Sequence, residues 1–204
     1  MAGLRTPARP LMLASILGVA AAGVATASAR RPEPRPEPPP ARVPAAAALP
    51  EHWVGRWSGP STNAAPGRPP LKFSMGLDIA PDGPGQWAWT ITYDGAQGAQ
   101  VRRYHLRSSG DDPGRFVIDE NNGIVLQATL IDGALYCPFS LGDQTLTAIY
   151  RPVSPGTPEA RIEFEVITFR AGDGVDTGGR SGAPAVRTWT VASLQRAVLR
   201  PKAP

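Results

Sequence analysis

The sequence has a single cysteine, Cys137, and two histidines, His52 and His105. A lone thiol excludes an internal disulfide, and cysteine spacings of the zinc-binding kind are absent with it. A haem or metal role needs an inward-facing imidazole supported by neighbouring groups. His52 sits at the edge of the folded region, and His105 is flanked by Arg103 and Arg107, cations that disfavour a bound cation. Both histidines therefore read as surface residues, and no cofactor is expected. After the N-terminal segment, no stretch shows helical periodicity of any length, which excludes helical folds. Basic charge is also scarce where it would matter. Of the formal +4, residues 1–50 hold six arginines against two glutamates, a net +4. Residues 51–200 hold fourteen Lys/Arg against fifteen Asp/Glu, a net −1, and Lys202 adds +1. A neutral folded part lacks the footprint of a nucleic-acid binder.

The N-terminus is rich in signals. Arg5 and Arg9 form a positive region, Leu11 to Val24 is apolar, and Ala27-Ser28-Ala29 offers small residues for cleavage. This pattern predicts a secretory signal over 1–29, cut after Ala29, and a secreted or periplasmic protein. The apolar run is too short and too rich in Ala and Gly for a stable membrane span after cleavage. No cysteine follows it, so lipid anchoring has no support. Residues 30–50 read RRPEPRPEPPPARVPAAAALP. Proline at that density gives an extended, coreless spacer.

Residues 51–200 remain as one domain of the commonest size. Its centre is Phe116 to Tyr150, four apolar runs separated by Asn121-Asn122-Gly123, Asp132-Gly133 and Gly142-Asp143. Such turns tolerate positive φ and are too short for a crossover helix, so the strands run antiparallel as a meander. Strands are also predicted around Trp53–Gly59, at Leu71–Ala80, Gln86–Tyr93, Val101–Arg107 and Arg161–Phe169, with a tenth within Val186–Arg200. A ten-stranded open sheet would expose two edges, and closure removes them. The predicted fold is an all-β, antiparallel up-and-down barrel of eight to ten strands, a monomer by default. Because connections alternate between the ends, the loops Pro60–Pro70, Asp94–Gln100 and Arg170–Ala185 should share one end, the predicted mouth.

Gly55-Arg56-Trp57 at the start of the first strand resembles the G-x-W signature of the calycins, the superfamily of lipocalins and fatty-acid-binding proteins. It also resembles bacterial secreted lipocalin-like barrels of unassigned function, whose central hairpin looks like residues 118–124 here. The resemblance implies that Trp57 closes the barrel base under a basic residue from the last strand, here Arg196 or Arg200, in a cation–π contact. Haem-binding members place their histidine near the C-terminal end, and no histidine follows His105.

Candidate chemistry is thin. Asp119 and Glu120 are adjacent on a strand, point to opposite faces and so cannot form one acid–base pair. No nucleophile-elbow string supports a hydrolase triad. Asp173 and Asp176 fall short of a calcium loop. Cys137, beside Pro138 at an expected edge or break in the ladder, reads as a small apolar filler. The most suggestive set is Trp87, Trp89 and Tyr93, a stacking wall for an apolar ligand or simply core. Arg103, Tyr104 and His105 on the next strand complete the candidate ligand-binding set, the cations mattering only if they face inward. Three functions follow in order: an exported, non-catalytic barrel binding a small, largely apolar molecule; a solid-core interaction module acting through its tail or loops; and an enzyme, for which no acid, base or nucleophile converges.

Overall fold

The computed structural model describes residues 48–202 apart from Asp111 and Ser181. The predicted signal and nearly all of the proline-rich spacer lie outside the described residues. A 3₁₀ turn, Glu51–Trp53, precedes the strands β1 (Gly55–Ala64), β2 (Leu71–Pro81), β3 (Gln86–Gly95), β4 (Gly98–Ser108), β5 (Arg115–Asp119) and β6 (Val125–Ile131). There follow β7 (Ala134–Leu141), β8 (Gln144–Val153), β9 (Arg161–Arg170), β10 (Val175–Gly178), β11 (Ala185–Thr188) and β12 (Val191–Pro201). Ten of these form a closed antiparallel barrel in the order β1-β12-β9-β8-β7-β6-β5-β4-β3-β2. Strands β10 and β11 form a separate two-stranded hairpin between β9 and β12.

The turns follow the expected chemistry. Asp132 and Gly133 both adopt positive φ (48° and 73°), as does Asn121 (59°), so each tight reversal uses a residue that accepts the left-handed region. Two boundaries differ from the sequence reading. Trp53 lies in the 3₁₀ turn rather than in the first strand, and is fully buried there. The connection expected to be one long loop over 170–185 contains the β10–β11 hairpin, whose four-residue strands are too short to show an alternating pattern.

The ends of the barrel are set by the meander. Ala64 of β1 pairs with Leu194 of β12, and the Ala171 N–H donates to Asp143 O at 2.8 Å. The β1–β2, β3–β4, β5–β6 and β7–β8 turns and the β9–β12 connection therefore share one end, which we call the mouth. The other end, the base, receives the 3₁₀ turn and the core proper. Trp53 packs at a tilt on Trp89 (6.1 Å), Trp89 meets Tyr150 edge-on (5.1 Å), and Tyr150 packs on Phe164 (4.8 Å). Leu49, Trp57, Leu77, Leu106, Phe116, Leu135, Ile162 and Leu199 complete this buried cluster.

Gly59 is a position where no side chain fits. A Cβ there would lie 2.0 Å from the carbonyl oxygen of Val198, so β1 and β12 approach each other more closely than any larger residue permits.

Candidate functional site

Side-chain alternation along each strand decides what the barrel encloses. On β3, Trp87, Trp89, Ile91 and Tyr93 point inward, and their β4 partners Leu106, Tyr104 and Arg102 share that face. Burial along these rows falls toward the mouth. Trp89 and Leu106 are fully buried, whereas Tyr93, Arg102 and Tyr104 are partly exposed. The same gradient recurs around the wall. Phe164, Leu135 and Leu77 are sealed at the base, while Val166, Phe139 and Phe73, nearer the mouth on the same strands, are partly exposed. Leu126 and Leu146 extend this upper ring, and toward the base Leu130, Ser108 and Pro152 are inward and partly exposed. The lower half is closely packed, whereas most inward side chains of the upper half, Ser61 and Thr168 excepted, keep part of their surface exposed, and we call this mostly apolar upper half the cup.

Polar groups gather on one side of the cup. The Arg102 guanidinium lies over the Tyr93 ring, 5.3 Å from its centroid, a cation–π contact that holds the charge without neutralising it. Gln195 on β12 places its buried side-chain amide beside the Tyr93 hydroxyl. Burial pushes the Tyr93 and Tyr104 hydroxyls above their usual range, and the nearby Glu120 carboxylate pushes Tyr104 further. Both phenols are therefore neutral donors at physiological pH. Burial, with Glu120 second, pushes the Cys137 thiol up to about 12, which leaves it an unreactive filler. Tyr150 beneath them is raised still more firmly by its complete burial.

The predicted site residues divide. Tyr93 and Tyr104 reach the cup. Trp87 and Trp89 belong to the base core, where Trp87 packs on Phe116 at 6.1 Å. Arg103 and His105 face the outside, because they occupy the opposite register from Tyr104 and Leu106. The inward cation is Arg102, which the alternation of Tyr104 and Leu106 could have identified. Outside, His105 is structural: its ring nitrogens meet Asn121 Oδ1 at 2.9 Å and Asp82 Oδ2 at 3.0 Å. Asn121 Nδ2 also donates to Arg103 O at 2.9 Å, and Arg107 bridges to Asp119 at 2.9 Å. Asp119 caps the turn by accepting the Asn121 N–H at 2.8 Å.

The expected cation over Trp57 is not formed. Gly55 and Trp57 do begin β1 at the base, and Trp57 is buried, but its indole N–H donates to Trp53 O at 3.0 Å. Arg196 lies opposite Thr62, far up the ladder, and its exposed guanidinium grips Glu165 at 2.7 Å. Arg200 lies opposite Ser58 and is exposed. Both arginines fall on the outer register of β12, so neither can cover an inward indole.

The wall itself is uneven. β4 pairs with β5 only over residues 105–108, and β6 pairs with β7 only over 129–131. The second ladder stops before Pro138, which has no N–H to extend it. The tip of the β5–β6 hairpin thus lacks a backbone ladder on either side, and Asn121 joins it to β4 through side-chain bonds. A separate groove of about 460 Å³ lies on the outer wall near the mouth, lined by Thr145, Phe169, Ala171, Arg187 and the half-exposed Trp189. Among the described residues no three His, Cys, Asp or Glu side chains cluster as a metal site. No helix among them is long and apolar enough to cross a membrane.

No protein-family model matches the chain, and no curated protein matches it. Three solved structures resemble it at low sequence identity. A protein of unknown function from the DUF3598 family of Nostoc punctiforme aligns over 74% of this chain with 15% identity and a TM-score of 0.49. The alignment spans 48% of that protein, so this chain matches about half its length. The S-type phycobiliprotein lyase CPES from Guillardia theta aligns over 76% of this chain and 90% of its own, with 11% identity and a TM-score of 0.49. Rv2717c from M. tuberculosis aligns over 75% of this chain and 94% of its own, with 14% identity and a TM-score of 0.37.

Proposed function

We propose that this chain is an exported, calycin-like barrel that binds a small, largely apolar ligand in the mouth half of its interior without transforming it. The observation that carries the reading is the burial gradient: the large inward apolar side chains are mostly sealed at the base and mostly partly exposed toward the mouth, where Ser61 and Thr168 are the buried exceptions. A rigid floor of packed aromatics beneath an apolar, partly open cup is the arrangement that buries a small molecule at little cost in ordering. The G-x-W string at the start of β1 and the meander closure support the calycin assignment. The n-region, apolar core and small-residue site of residues 1–29 support export.

Native mass spectrometry of the protein purified from its own host tests the ligand. The expected spectrum shows a small adduct that denaturation releases, and that a folded Phe139→Asp variant lacks. A bare protein mass that stays bare when apolar molecules are offered would sink the reading. For export, the expected mature terminus is Arg30, and an intact Met1 in the soluble cytoplasmic fraction would contradict it.

A second reading rests on the outer groove. Trp189 is half exposed beside Phe169, and aromatics so placed often anchor partner proteins. In that reading the interior is only a core, and Trp189→Ala rather than Phe139→Asp abolishes binding of a protein partner.

A further inference from the structure

On the outer face, His105 makes two contacts that its neutral form cannot satisfy together. His105 Nδ1 meets Asn121 Oδ1 at 2.9 Å, and His105 Nε2 meets Asp82 Oδ2 at 3.0 Å. Both partners are fixed as acceptors. Asn121 Nδ2 donates to Arg103 O at 2.9 Å, so its Oδ1 is the atom turned to the imidazole. Arg107 Nε donates to Gln86 Oε1 at 2.9 Å, which leaves Gln86 Nε2 to donate to Asp82 Oδ2, also at 2.9 Å, and hold that carboxylate in place. Neutral imidazole has one N–H, so either tautomer sets a lone pair against an oxygen. Turning the Asn121 amide over only moves the conflict to Arg103 O. The imidazolium, a donor at both nitrogens, satisfies every contact.

We propose that His105 is a proton-operated latch: the imidazolium ties the β5–β6 tip to β4 and closes that side of the cup, and loss of one proton releases the tip. The β4–β5 ladder ends at the His105–Asp119 pair and the β6–β7 ladder at Thr129–Tyr136, so among the described residues Asn121 carries the tip's bonds to β4. The surrounding charges fit this role. Asp82, from the β2–β3 turn, forms its ion pair with His105, whereas Asp119, across from it on β5, is taken by Arg107 at 2.9 Å. Ala88, the β3 partner of His105, is uncharged. Arg103 and Arg107 flank His105 on β4 and oppose its charge, but Arg107 is paired and Arg103 is exposed to screening water. Histidine changes charge between about pH 5 and 8, so the latch closes on acidification and opens as pH rises. Glu120 on the tip lies near Tyr104 in the cup, so freeing the tip opens the wall there. That consequence rests on the ligand-binding reading above, and the latch itself does not.

The test is hydrogen exchange at pH 5.5 and pH 8.0, corrected for intrinsic rates. The Glu120, Asn121 and Ile124 amides are each bonded within the tip. Their protection should fall about tenfold at the higher pH, the scale of one charge-assisted bond, while the Trp89 and Leu106 amides stay within about twofold. The imidazole nitrogen spectrum should show both His105 nitrogens protonated at pH 5.5. His105→Gln should leave the tip at its pH 8.0 protection at both values. Asp82→Asn should keep the tip protected at both, because the new amide can donate to an unprotonated Nε2. For the cup, the uncharged apolar probe N-phenyl-1-naphthylamine should dissociate faster at pH 8.0, by up to about the same factor, and equally at both values in His105→Gln. Tip amides equally protected at both values, or a pH response that persists in His105→Gln, would overturn the latch. A pH response of the tip without one in probe release would support the latch and overturn its control of the cup. A probe that binds at neither pH would overturn the ligand-binding reading, and the exchange rates would still decide the latch.

Discussion

The base and the mouth of this barrel are built from the same ten strands and behave as different materials. At the base, most inward positions hold apolar side chains sealed by their neighbours, and the Trp53–Trp89–Tyr150–Phe164 chain of ring contacts runs across the interior. Toward the mouth, the inward positions carry Arg102, Tyr104, Gln195 and apolar groups such as Phe73, Phe139 and Leu146 that keep part of their surface exposed. The backbone follows the same division, since the β4–β5 and β6–β7 ladders are made toward the base and absent toward the mouth. Stability is concentrated at one end so that the other can keep polar and accessible groups.

The largest expected effect tests that division directly. Trp89→Ala and Trp57→Ala should each cost about 3–5 kcal/mol in urea denaturation, as for large core truncations. Phe139→Ala, with part of its surface already in water, should cost about 1–2 kcal/mol. Equal losses at both ends would break the comparison. Gly59→Ala should destabilise by about 1–3 kcal/mol, because the new methyl group meets Val198 O on a strand that must shift to admit it. An unchanged midpoint would show that β1 and β12 have slack.

Alkaline pH should weaken the interior through the groups between floor and cup. Cys137 is raised from 9.0 to about 12, and Tyr93, Tyr104 and Tyr150 are raised from 10.0, all first by burial. Each raised group binds its proton more tightly when folded, so its contribution is complete below the unfolded value and lost as pH rises through the folded one. Stability should be flat up to about pH 9, then fall, by up to about 1.4 kcal/mol per pH unit for each titrating group. Urea midpoints between pH 8 and 12 check this, and Cys137→Ala should remove the part of the fall that begins near pH 9. Asn121→Ala should leave overall stability within about 1 kcal/mol. In hydrogen exchange it should speed the amides of 121–126 and spare those of the base. The smallest effect belongs to Arg196→Ala, which removes an exposed pair with Glu165 and should cost less than about 1 kcal/mol. A larger loss would show that the Arg196–Glu165 pair ties β12 to β9 more firmly than an exposed pair does.

The strands were legible because alternation and turn chemistry are local. The row Phe73, Met75, Leu77, Ile79 and the Asp132-Gly133 turn each carry their signal within a few residues. The site was half legible. Tyr93 and Tyr104 follow from alternation, but Arg103 and His105, which matter only if they face inward, lie on the outer face. The two faces of β4 both carry arginine, so polarity along the strand does not tell inside from outside. The core position of Trp53 is not legible in the sequence, because a three-residue 3₁₀ turn has no periodicity to read.

The sequence by itself determined an all-β meander, its turns, its closure and the end at which its long connections gather, because each follows from neighbours in the chain. Only the tertiary structure decided that Arg102 rather than Arg103 enters the barrel, that Trp57 bonds to Trp53 rather than to an arginine, and that the base is filled while the mouth is open. Those outcomes depend on register between strands far apart in sequence. A shift of one residue moves a side chain through the wall, and no local pattern carries that information.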